Sequence, residues 1–131
     1  MKYRMLLAAS FACWCGATCF TSVAGAASTT FNCSYPVYSD KDGTHVSEEG
    51  FTLKYLIDHD NKKSYVIGEL GAEEVFAVPG DGQISFIEIT DSKNVMITTV
   101  DDALSSVHSR NSVILGKLVP SQYYGNCEVA E

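Results

Sequence analysis

The chain has 131 residues, 46% of them hydrophobic, with 16 acidic and nine basic side chains for a formal charge of −7. A chain this acidic, with no basic cluster, repels a phosphate backbone, which sets nucleic acid aside and leaves cationic partners or plain solubility to account for the charge.

The N-terminus sets the compartment. Lys2 and Arg4 precede an apolar run from Met5 to about Phe20, and the small-residue string Val23-Ala24-Gly25-Ala26-Ala27 follows. That order is that of a secretory signal peptide over residues 1–26, cleaved after Ala24-x-Ala26, and it implies that the protein is exported. As a membrane anchor the run is too short and too diluted by Gly16, Thr18, Thr21 and Ser22. Cys13, Cys15 and Cys19 lie within it, and neither Cys13 nor Cys19 follows the Leu-small-small triplet of a lipoprotein.

Removing the leader leaves residues 27–131 as one domain with seven basic and 16 acidic residues, a formal charge of −9. It also leaves two of the five cysteines, Cys33 and Cys127, near opposite ends of an exported domain, where they are expected to form a disulfide. Neither has the neighbouring Cys or His that a catalytic or metal-binding thiol needs.

Between them the chain reads as strands and turns with no helical stretch. Thr30 to Ser39 is the first strand, closed by Asp40-Lys41-Asp42-Gly43. Phe51, Leu53, Tyr55 and Ile57 alternate with polar residues at the period of a half-buried strand. After the turn Asp58-His59-Asp60-Asn61-Lys62-Lys63 come strands over Ser64 to Leu70, Glu74 to Val78, Gln83 to Thr90 and Val95 to Val100, a weaker one over Leu104 to Arg110, and one over Ser112 to Val119. Seven or eight short strands with hairpin-length links predict an all-β antiparallel meander closing into a small barrel, its first and last strands joined by the disulfide.

Glu88 shares a strand face with Ile84 and Phe86, so its carboxylate sits at the rim of the core or is paired inside it. His108 and Arg110 share a face of their own segment. If the two faces meet, Arg110 is the natural bidentate partner of Glu88, with His108 completing the hydrogen bonds. Such a cluster either locks strand register or forms the polar floor of a ligand cavity. Tyr123 and Tyr124 follow Pro120-Ser121-Gln122, past the last clear strand, and point opposite ways if extended; one of them either plugs the barrel end beside the disulfide or meets a partner.

Catalytic signatures are absent. Ser106, Ser109 and Ser112 lie near His108 without a nucleophile elbow. His45, His59 and His108 show no metal-ligand spacing, and Asp40-x-Asp42-Gly43 and Asp58-x-Asp60 do not continue into a calcium loop. No enzyme activity, metal or cofactor is expected.

The blocks "VHSRNSVILGKLVPSQYYGNC", "ISFIEIT" and "FNCSYP" resemble a group of small exported proteins of alphaproteobacteria. That resemblance implies a Gram-negative periplasm and carries no activity. In layout alone the chain is similar to the periplasmic inhibitors of C-type lysozyme, small disulfide-linked β-barrels. Their Ser-Gly-x-x-Tyr block has no counterpart here, the nearest stretch being Asp91-Ser92-Lys93-Asn94-Val95-Met96. Two readings stay open: a non-enzymatic, inhibitor-like module that binds an unknown protein partner, or a lipocalin-like carrier with Glu88, His108 and Arg110 lining its cavity. A structural envelope role is the third.

Overall fold

The computed structural model describes residues 27–68 and 70–130. The leader expected over residues 1–26 lies outside them. The described residues form eight strands and no helix: β1 (Ser28–Asp40), β2 (Gly43–Asp58), β3 (Lys63–Gly68), β4 (Gly71–Gly80), β5 (Gln83–Ile89), β6 (Val95–Asp101), β7 (Ser105–Ile114) and β8 (Lys117–Ala130). Each pairs with its sequence neighbour, and β8 returns to β1, so the meander closes into a barrel. Every ladder is antiparallel.

Period-two patterning decides what lies inside. Cys33, Tyr35, Tyr55, Val66, Val75, Phe86, Val100 and Cys127 form the buried core, with Phe31, Leu53, Ile57, Ile84 and Leu104 packed on it. Tyr55 and Phe86 stack with ring centroids 4.3 Å apart, and Phe31 meets Phe86 edge-on at 5.7 Å. At the seam Cys33 stands directly opposite Cys127, and the two are bridged across a sequence separation of 94. The β1 register shifts between Ser34 and Val37, where β1 crosses closely over β8. Gly125 makes that approach possible, since a Cβ there would run into the Ser34 carbonyl and the Tyr35 Cα.

Three elements differ from the sequence reading. The strand expected over Ser112 to Val119 is two strands and a turn: β7 ends at Ile114, Leu115 and Gly116 turn with φ of 50° and 75°, and β8 begins at Lys117. Positive φ at a leucine gives none of the Asn or Asp signal that such a turn usually shows. Pro120 to Tyr124 lie inside β8, because Pro120 faces Asn111 on an otherwise unpaired outer edge where its missing N–H costs nothing. Finally, β2 starts at Gly43: Gly43 to Val46 are held as strand by pairing with Val37 to Asp40 of β1, and Ser47 to Gly50 fall at the irregularity before the ladder resumes at Phe51.

Candidate functional site

Antiparallel register puts the candidate residues in two inward rows. Glu88 on β5 pairs with Met96 on β6, which pairs with Arg110 on β7; one step deeper, Phe86 pairs with Thr98 and Thr98 with His108. Directly paired residues share a face, so the structure brings Glu88, His108 and Arg110 to one end of the interior.

His108 is fully buried and both its ring nitrogens are engaged. Nδ1 lies 2.7 Å from Thr98 Oγ1, and the Arg110 Nε–H donates to Nε2 at 3.0 Å. Arginine has no acceptor, so Nε2 must present its lone pair and the proton sits on Nδ1, donating to Thr98. Thr98 Oγ1 in turn lies 2.6 Å from the Tyr55 hydroxyl. Burial, reinforced by the neighbouring Arg110 charge, pulls the His108 pKa down to about 4. Burial likewise pushes the Tyr55 and Tyr35 hydroxyls up. Tyr35 OH meets Ser106 Oγ at 2.9 Å, and Ser106 donates to the Thr99 carbonyl at 3.1 Å. Ser106 and His108 therefore do not form a nucleophile and base pair.

The Arg110 guanidinium rests against a pair of touching aromatic rings, 4.5 Å from the Phe51 ring centre and 4.8 Å from that of Tyr123. The bidentate pair expected with Glu88 is not made; among the described residues no ion pair joins the two. Register explains this: Met96 stands between them, the two strands are about 10 Å apart, and the His108 bond together with the aromatic contacts clamps the guanidinium on its own side. Burial raises the Glu88 pKa, against the opposing pull of Arg110, and Glu73 adds to the rise. No buried side-chain nitrogen or oxygen lacks a partner among the described residues, so the unengaged Nη groups of Arg110 are in reach of solvent.

Arg110 lines a cleft of about 890 Å³ at the end of the barrel. Phe51, Leu53, Val66, Ile67 and Met96 give it apolar walls, while Arg110, Glu88, Lys54 and Glu73 supply charge. It exists because β3 is short: β2 pairs with β3 only from Lys54 to Asp58, and β4 pairs with β5 only from Phe76 to Gly80. The wall between β2 and the upper part of β5 is thereby notched.

Tyr123 points inward, 4.7 Å from Phe51 and stacked on Tyr38 at 5.4 Å. Tyr124 lies on the outer face and its hydroxyl donates to Gln122 Oε1. His45 and His59 bond Asp40 and Thr29 at the surface. Among the described residues no group of His, Cys, Asp and Glu is arranged to hold a metal. Thr98, Tyr55 and Phe51 were not singled out in the sequence, although the alternation Met96-x-Thr98-x-Val100 marks Thr98 as facing the same way as its apolar neighbours.

The site is thus the open mouth of an eight-stranded up-and-down barrel, furnished with one clamped arginine. In comparisons with known proteins the chain matches no family model, no curated protein and no solved structure.

Proposed function

We propose that this protein is a non-catalytic carrier or receptor for a small amphiphile with an anionic head, the head on Arg110 and the apolar part along Phe51, Leu53, Val66 and Met96. The observation that carries this reading is the state of Arg110. Its Nε is spent on a neutral imidazole and its guanidinium rests on the joined rings of Phe51 and Tyr123, while its Nη groups are left toward an apolar-walled cleft. A guanidinium held rigidly has little side-chain entropy left to lose when an anion arrives, and a planar two-oxygen head fits its fork. The cleft volume lies in the range of small-molecule sites. Of the alternatives raised by the sequence, a protein-binding module gives the clamped arginine no role. An exported barrel in the periplasm, its leader removed, is the setting this reading assumes.

Two naphthalene dyes test it, the sulfonate 1-anilinonaphthalene-8-sulfonate and the uncharged N-phenyl-1-naphthylamine. The sulfonate is expected to bind the wild-type protein more tightly, and Arg110→Gln to weaken it about tenfold while leaving the neutral dye unchanged. Equal binding of the sulfonate to both proteins, with circular dichroism showing both folded, would overturn the assignment.

A further inference from the structure

Residues 111–120 leave the barrel. The β6–β7 ladder ends at Met96 and Arg110, and the β1–β8 ladder ends at Asp40 and Ser121. Beyond that level β7 and β8 pair only with each other, from Asn111 with Pro120 to Ile114 with Lys117. The result is a two-stranded finger. Its tip residue Leu115 is 98% exposed, and Val113, Ile114, Leu118 and Val119 are exposed as well.

We propose that this finger dips its tip into the surface of an anionic lipid bilayer. The proposal does not depend on a ligand in the cleft, although the finger leaves the barrel at the Arg110 level, the level of the cleft.

Two exclusions narrow the occupant. Pro120 has no N–H to offer on the outer edge of β8, and Asn94 Oδ1 takes the Val113 N–H at 3.2 Å on the edge of β7. Those devices discourage an added strand from another chain, so the occupant meets side chains rather than backbone. Both faces of the finger are apolar. Val113 and Leu118 are paired on one face, and Val119 and Ile114 lie on the other. A protein groove covers one face of such a ribbon; a lipid surface surrounds the tip on both.

Charge selects the kind of surface. From Ser105 to Cys127 the chain has Arg110 and Lys117 and not one Asp or Glu, although the whole chain carries 16. Lys117 sits beside the turn, where its alkyl stem lies along apolar surroundings and its ammonium reaches lipid phosphates. The acidic remainder of the protein is kept back. The finger runs five residues past Arg110, about 16 Å of strand, whereas β1 reaches its turn directly after Asp40. The difference exceeds the roughly 8 Å screening length of physiological salt, and in the β5–β6 turn Lys93 offsets Asp91. Insertion stops at the tip, because the unpaired edges of a lone ribbon cannot be left in hydrocarbon.

The chain beginning at Ala27, which contains the entire barrel, is the material for the test. It is sedimented with sucrose-loaded vesicles of phosphatidylcholine alone or with about one-third phosphatidylglycerol. The wild type is expected to pellet with the anionic vesicles, Leu115→Asp to reduce the bound fraction about fivefold, and Phe76→Asp, at an exposed apolar residue of the barrel wall, to leave it unchanged. A tryptophan reporter, Leu115→Trp, should shift its emission to the blue on those vesicles; the natural Trp14 lies in the leader. Failure of the wild type to pellet, or equal pelleting of Leu115→Asp, overturns the proposal. So does a dimer in sedimentation velocity that Leu115→Asp abolishes, which would give the finger to a second copy.

Discussion

The two ends of the barrel interior are built from the same strands and the same alternation, yet one is sealed and the other is not. Below the His108 row, side chains fill the space: Tyr55 stacks on Phe86, and Tyr35, Ser106, Thr98 and His108 satisfy one another or the backbone by hydrogen bonds. One row higher, Glu88 and Arg110 face the same space unpaired to each other, and the wall between β2 and β5 is notched. The comparison separates two uses of buried polar groups. A hydroxyl and imidazole chain with every atom bonded ties β1 and β2 across the interior to β6 and β7, whereas a clamped charge without a counter-ion is an incomplete site.

Breaking the sealed half should cost the most stability. Removing the bridge with Cys33→Ser releases a loop of nearly the whole domain, for which chain entropy gives roughly 4 to 5 kcal/mol. Chemical denaturation of oxidised wild type against the variant checks this. Gly125→Ala attacks the same seam without touching the bridge. The new methyl has only backbone to meet, the Ser34 carbonyl and the Tyr35 Cα, so a loss of about 3 kcal/mol or more is expected. A loss below about 1 kcal/mol would mean that β1 and β8 are not held as closely as their register implies.

Acid should unlock the boundary between the two halves. His108 is neutral in the fold with its pKa near 4, whereas in the unfolded chain it titrates near 6.5. The unfolded state therefore takes up a proton first as pH falls. The His108 contribution is fully present above about pH 6.5 and is lost progressively down to about pH 4, on the order of 3 kcal/mol. Midpoint temperatures measured across that window should fall, and His108→Gln, which keeps an acceptor for the Arg110 Nε, should flatten the slope. An unaltered slope in the variant would place the acid sensitivity in other groups.

How far these features could be read in the sequence differs between the halves in a physically intelligible way. The strands that alternate cleanly, such as Phe51 to Ile57, announce both their type and their inward face, and the two cysteines outside the expected leader announce their bridge. The inward direction of Glu88, His108 and Arg110 follows from the same period. Their pairing does not, because it depends on cross-strand register: one residue of slip, or one intervening strand carrying Met96, decides between an ion pair and two separate charges. The finger was hidden for another reason. Val113-Ile114-Leu115-Gly116-Lys117-Leu118-Val119 has the composition of a single buried strand, and its turn rests on a leucine at positive φ. Apolar composition reports burial only when something covers the residue, and here nothing in the barrel does.

Glu88 sharpens the open half with the smallest effect. Burial keeps its carboxyl protonated to higher pH than an ordinary glutamate, the nearby Glu73 adding to this and Arg110 opposing it. An anion on Arg110 would add a further like charge and favour the protonated form again. Sulfonate dye affinity should therefore rise as pH falls and the Glu88 charge that opposes the anion disappears, at higher pH than an ordinary glutamate would allow. At the two-strand separation, and with the cleft open to solvent, that repulsion is about 0.4 to 0.8 kcal/mol, a two- to fourfold change in affinity. Glu88→Gln should hold the dye at the low-pH affinity of the wild type throughout. If instead the variant keeps the pH dependence, Glu88 does not share the space of the bound anion, and the head group lies on the Tyr123 side of Arg110.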